Sequence, residues 1–105
     1  MINHGHWLKY VPDEIPRYAP ENAIFWQRGN DDWYEWSRSN WNIIQGKDAS
    51  KTTKVAVAGD RVISAETDVT LLSLPTEFTL YELEGNETAP KPGWFLNGNE
   101  FVESL

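Results

Sequence analysis

Trp94-Phe95-Leu96-Asn97-Gly98-Asn99-Glu100-Phe101-Val102 is the stretch that decides the fold class. Two aromatic-led runs flank an Asn-Gly pair, and both central residues of a tight hairpin turn must accept positive φ, which Asn and Gly do at least cost. Taking Asn97-Gly98 as the turn places Leu96 opposite Asn99 and Trp94 opposite Phe101. Working outward, Phe78-Thr79-Leu80-Tyr81-Glu82-Leu83 alternates cleanly. It puts Phe78, Leu80 and Glu82 on one face of a strand and Thr79, Tyr81 and Leu83 on the other. Lys54-Val55-Ala56-Val57-Ala58 and Arg61-Val62-Ile63-Ser64 flank Gly59-Asp60 as a second hairpin. Asp68 to Leu74 fits either a helical turn capped by Asp68 or a buried strand that Pro75 ends.

Nearer the amino end, Ile24-Phe25-Trp26-Gln27 and Asp32-Trp33-Tyr34-Glu35-Trp36 flank a turn at Arg28-Gly29-Asn30-Asp31. Read as strands, they oppose Trp26 and Trp33 as a cross-strand pair. This hairpin echoes the last one. Each follows an Ala-Pro pair (Ala19-Pro20, Ala89-Pro90) and, allowing the first hairpin one extra residue before Phe25 and one at Asp32, runs two aromatics, two variable residues, Gly-Asn, an acid, an aromatic, any residue and Glu. Residues 45–53 are polar and rich in Gly, Ser and Thr, which marks a flexible loop. Residues 1–22 hold Pro12, Pro16 and Pro20, and read as an extended, irregular arm pinned by Trp7, Tyr10, Ile15 and Tyr18.

The 105 residues therefore predict one mainly β domain: six to eight short antiparallel strands, closed as a barrel or sandwich or left as a small sheet, with at most one or two short helical turns. The expected core draws on Trp26, Trp33, Val55, Val57, Val62, Leu72, Leu80, Trp94 and Phe101. Six tryptophans in so short a chain give aromatic rings the packing role that aliphatic residues usually fill.

Composition narrows function by exclusion. With no cysteine, disulfides, thiol catalysis and Cys-ligated zinc are ruled out, which suits a cytoplasmic protein or a component of a virion. No apolar run approaches a membrane span, and the first residues do not read as a signal peptide. Residues 1–63 balance eight acids against eight bases, whereas Glu66, Asp68, Glu77, Glu82, Glu84, Glu87, Glu100 and Glu103 face Lys91 alone, so the whole net charge of −7 lies in the last two-fifths. Direct nucleic-acid binding is not expected from such a balance.

Candidate chemistry is sparse. His4 and His6 sit two apart in an extended segment, so alternation points both rings to one side, where Asp13 or Glu14 offers a third metal ligand. An incidental pair at the terminus is the plainer reading, and no metal or other cofactor is assigned. No phosphate-binding glycine loop or nucleophile elbow occurs, so no catalytic residue is assigned and the chain is read as a non-enzyme. The densest binding candidate is Trp33-Tyr34-Glu35-Trp36, an aromatic platform rimmed by Asp31, Asp32, Arg38 and Asn40, with Trp94 as a further ring.

Pro92-Gly93-Trp94-Phe95-Leu96-Asn97-Gly98-Asn99-Glu100-Phe101 and Leu80-Tyr81-Glu82-Leu83 resemble phrases common in small phage- and prophage-encoded proteins, tail-associated ones among them. The resemblance covers about a quarter of the chain and transfers no functional residue. It implies a structural or accessory protein acting by protein contact or self-association through aromatic strands and the acidic C-terminal part. The alternatives are a carbohydrate-binding module using Trp33, Tyr34, Trp36 and Trp94, and an acidic inhibitor that mimics nucleic acid.

Overall fold

A computed structural model describes residues 1–13, 24–44, 46–84 and 88–104. The expected mainly β fold is what the chain adopts. Its strands are β1 (Ile2–Tyr10), β2 (Phe25–Arg28), β3 (Asp31–Asp32), β4 (Ile43–Ile44), β5 (Lys47–Asp48), β6 (Lys54–Ala58), β7 (Arg61–Glu66), β8 (Phe78–Glu82), β9 (Phe95–Asn97) and β10 (Glu100–Val102). One helix, α1 (Trp33–Asn40), and one 3-10 turn, Val69–Leu71, complete it. Eight strands form a single antiparallel sheet in the order β10-β9-β7-β6-β8-β1-β2-β3, with β4 and β5 paired apart from it.

The three tight hairpins share one device. Gly29-Asn30, Gly59-Asp60 and Gly98-Asn99 each bridge a closing pair, Arg28↔Asp31, Ala58↔Arg61 and Asn97↔Glu100. The leading glycine of each turn has positive φ, the left-handed conformation that glycine adopts at least cost. The last hairpin is thus shifted one residue from the expected Asn97-Gly98 turn, and Phe101 faces Leu96 rather than Trp94. The two echoing hairpins lie at opposite ends of the sheet. Both edges are short: β3 has two residues and passes into α1, and β10 has three, opening with the exposed Glu100 and followed by the exposed Glu103. Short, charged edges discourage edge-to-edge pairing of sheets.

The amino-terminal segment departs most from expectation. Residues 2–10 are not irregular. They form a central strand that pairs with β8 through residues 2–7 and with β2 through residues 8–10. A bulge at Gly5, with φ 95°, shifts the register between Asn3 and His6. Arg28 packs over this glycine, so closely that an added Cβ would stand 2.5 Å from Arg28 Cδ. Gly5→Ala combines that clash with a backbone conformation L residues resist, and is expected to cost about 1–3 kcal/mol in urea denaturation. Residues 14–22, the rest of the expected arm with Ile15 and Tyr18, lie outside the described residues. So do Gln45 and Gly85-Asn86. Residues 46–53, expected to be a flexible loop, carry β5 and hydrogen-bonded turns around the buried Ala49.

Alternation divides the core between the faces of the sheet. On one face Trp7, Trp26, Ala56, Phe78 and Leu80 pack against Trp33 of α1 and Val69 and Leu72 of the following turn. On the other, Val55, Val57, Val62 and Leu83 lie beneath the half-buried Tyr81, Trp94, Leu96 and Phe101. The predicted core residues are buried except Trp94 and Phe101, which are half-buried, while Trp7, Phe78 and Val69 are core residues beyond that set.

Candidate functional site

The segment read as an aromatic strand is helical, and a capping residue is the reason. Asp32 has extended backbone and its Oδ2 accepts from the Glu35 N–H at 3.1 Å. Asp-x-x-Glu, as in Asp32-Trp33-Tyr34-Glu35, is a helix-start signal that the hairpin reading of these residues left unused. Winding replaces a two-residue alternation with a stripe. Trp33, Trp36 and Ser37 turn inward, and Tyr34 and Arg38 follow along the flank.

Trp33 is 3 % exposed, meets Trp7 edge-on at 5.0 Å and Phe78 at 5.1 Å, and so belongs to the core. Trp36 is half-buried against Trp7 and His4, with the Arg28 guanidinium 5.2 Å from its ring and 4.8 Å from that of Trp7. Arg28 also donates to the His4 carbonyl and pairs with Asp31 at 2.9 Å. Asp32 is spent on the cap and on a hydrogen bond from the Tyr10 hydroxyl. Tyr34 keeps an exposed ring, and its hydroxyl donates to the Ile24 carbonyl at 2.9 Å. The structure therefore brings Asp31, Asp32, Trp33, Tyr34 and Trp36 together around α1. Trp94 lies with the other core cluster, on the far face of the sheet.

What α1 does build is a groove. Trp33, Tyr34, Ser37 and Arg38 form one wall, and Thr70, Leu72 and Leu74 the facing one. Trp26 and Ile24 complete a cavity of about 510 Å³, within the usual range of ligand pockets. Exposed Ile24, Tyr34 and Leu71 give this region apolar surface. Of the nine lining residues among those described, Trp33, Tyr34 and Arg38 were singled out by the sequence. Ser37, Thr70, Leu72 and Leu74 were not read as site residues, because their approach depends on the helix that the strand reading excluded.

A second polar constellation is buried beneath the 46–53 segment. His4 Nε2 donates to Glu82 Oε1 at 2.9 Å, and the Thr52 hydroxyl donates to Glu82 Oε2. Lys54, opposite Glu82 in the sheet, is fully buried. Its Nζ donates to the carbonyls of Ala49, Thr52 and Thr67, the last two at 3.1 and 2.7 Å. An ammonium has three protons, and three carbonyls take them. This geometry suits a structural clasp, with no proton left for a reactant. The expected His4–His6 pair does not converge. The Gly5 bulge turns His4 toward Glu82 and Trp36, while His6 Nδ1 bonds Thr79 Oγ1 at 2.8 Å on the opposite face. Neither ring is frayed. Among the described residues no three His, Asp or Glu side chains gather as a metal set.

The acidic C-terminal part is likewise less free than its charge implies. Glu82 is buried, Asp68 accepts from the Thr70 N–H at 2.9 Å, and Glu77 accepts from the Lys9 N–H at 2.8 Å. Glu84 lies 3.9 Å from the terminal ammonium.

Burial, aided by the hydrogen bond to Asp32, raises the Tyr10 phenol well above its ordinary 10.0. The folded state thus holds this proton after the unfolded state has released it, so the stabilising contribution is present below 10.0 and is lost as pH climbs through the folded value. In an alkaline titration followed by phenolate absorbance, Tyr10→Phe should delete a step lying above the ordinary phenol range. An unchanged titration curve in that range would place the Tyr10 hydroxyl in water.

No helix among the described residues is long and apolar enough to cross a membrane. No family model matches the chain, and no curated protein and no solved structure matches it either.

Proposed function

We propose that this protein is a non-catalytic protein-interaction module, of the kind phages and prophages carry as structural or accessory components, and that its contact site is the groove between α1 and residues 70–74. The groove itself carries the reading. It joins aromatic and aliphatic side chains to the polar Ser37, Arg38 and Thr70 and lies beside the exposed Ile24, Tyr34 and Leu71, a mix that can fix the orientation of a bound group. The short, acidic sheet edges favour contact with a different protein over strand pairing with another copy. A sugar platform needs open ring faces, and Trp33 at 3 % exposure offers none. A nucleic-acid mimic needs its acids exposed in an array, and Glu82 is instead buried against His4 and Thr52.

Panning a random peptide library on the folded protein tests this. Enriched peptides should lose at least about tenfold in affinity on Thr70→Trp, which fills the groove from an exposed position. Circular dichroism confirms that the variant is folded. Peptides that bind both proteins equally, or no enrichment at all, would defeat the assignment.

A further inference from the structure

We infer that Asn97 is a self-modification site: the Gly98 amide nitrogen converts its carboxamide to an acid, and the product loosens the β9-β10 hairpin. The site is separate from the groove. Asn97 is the only asparagine in the chain that glycine follows. A Cβ on the following residue shields that residue's nitrogen, and glycine has none. Asn97 and Gly98 are both exposed. Gly98 has φ 64°, and beyond its chain neighbours nothing stands within 4 Å of the place a Cβ would take. Among the described residues no hydrogen bond holds the Asn97 carboxamide. By contrast, Asn3 Oδ1 accepts from the Gly5 N–H at 2.8 Å, and the Asn40 amide donates to the Trp36 carbonyl at 2.7 Å.

The chemistry needs only water. The Gly98 nitrogen attacks Asn97 Cγ and gives up its proton, the C–N bond of the carboxamide breaks, and ammonia leaves as a succinimide ring closes. Water then opens the ring at either carbonyl. Opening at Cγ leaves aspartate. Opening at the main-chain carbonyl carbon of residue 97 leaves isoaspartate, whose chain runs through Cβ and Cγ. No step is a redox step.

The hairpin both permits the attack and suffers from it. Asn97 pairs with Glu100 across the turn, and β9 and β10 have three residues each. β9 meets β7 at one register pair, Arg61↔Phe95. So short a hairpin at the end of a sheet opens often, and each opening lets the carboxamide swing onto the nitrogen. Either product puts a carboxylate at position 97 opposite the exposed Glu100, and like charges directly opposite destabilise a strand pair. Isoaspartate also adds a carbon to the main chain and displaces the carbonyl of the closing pair. The hairpin packs Leu96 and Phe101 against the cluster of Val55, Val57, Val62 and Leu83, so its loosening uncovers part of that cluster.

The test ages the full chain in mildly alkaline buffer and maps its peptides by mass spectrometry, with the free peptide Trp-Phe-Leu-Asn-Gly-Asn-Glu beside it. Residue 97 should change in mass from amide to acid, as aspartate and isoaspartate, at least about tenfold faster than any other asparagine. Amide hydrogen exchange over residues 95–102 should be at least about tenfold faster in the aged chain. It should rise in fresh Asn97→Asp and stay unchanged in aged Asn97→Gln, which keeps the Gly98 turn. An Asn97 still intact when the free peptide has fully converted, or converting no faster than other asparagines, would overturn the site. Conversion with unchanged exchange over 95–102 would overturn the loosening. Faster exchange in aged Asn97→Gln as well would trace the loosening to another lesion and overturn Asn97 as its cause.

Discussion

Trp7→Ala should destabilise the protein by about 3–5 kcal/mol, the largest loss expected from any single truncation in the core. Trp7 is fully buried in a central strand, with Trp33 at 5.0 Å, Trp36 at 5.3 Å and Phe78 stacked at 6.4 Å. Arg28 lies across its ring. Deleting the indole opens a cavity that three other large rings border, and large rings have few ways to fill it. A domain of this size has a total stability of about 5–15 kcal/mol, so the variant should unfold at much lower urea or populate the unfolded state without any. Trp7→Phe provides the internal comparison. Among the described residues the Trp7 Nε1 proton has no hydrogen-bond partner. Phe keeps much of the volume and removes that orphan donor, so its loss should be clearly smaller. A loss under about 1 kcal/mol for Trp7→Ala would mean that residues 2–10 are a peripheral arm after all.

Lys54→Met is expected to cost about 3–5 kcal/mol. The ammonium ties together the carbonyls of Ala49, Thr52 and Thr67 and stands across from Glu82. Methionine matches the stem but leaves the Thr67 carbonyl without its charged donor and Glu82 without its neighbouring cation. Lys54→Met combined with Glu82→Leu should recover part of the loss, because an apolar pair leaves no lone buried charge. Recovery would show as a non-additive double-mutant cycle, and strict additivity would argue against coupling. The pH dependence adds a second readout. Burial lowers the Lys54 pKa from 10.5, against the attraction of Glu82. Between the folded value and 10.5 the unfolded chain binds more protons, so stability from this group rises with pH across that window. Lys54→Met should flatten the rise and leave the opposing alkaline loss from Tyr10 in place.

The β class, the Gly59-Asp60 hairpin and the faces of β8 were legible from alternation and turn chemistry, because both are local properties. The register of the last hairpin was not. Asn97-Gly98 and Gly98-Asn99 are both good turns, and the choice of Gly98-Asn99 also sets Phe95 opposite Arg61 in β7, a contact distant in sequence. The helix at 33–40 was legible in its Asp32–Glu35 cap and illegible in its aromatic content, since rings favour strands. The groove followed from neither, because one wall comes from α1 and the other from residues 70–74. Histidine placement failed for a different reason. A single glycine at position 5 inserts a bulge, and one extra residue reverses every later side chain.

The crowding of Trp7, Trp33 and Trp36, with ring separations of 5.0, 5.3 and 5.7 Å, has an optical consequence. Indoles that close and mutually inclined couple their electronic transitions, so the circular dichroism of this protein should carry an exciton couplet on top of the backbone signal. That couplet reports side-chain packing directly. Its disappearance on heating, timed against the loss of the β signal, would tell whether the interior loosens before the sheet parts.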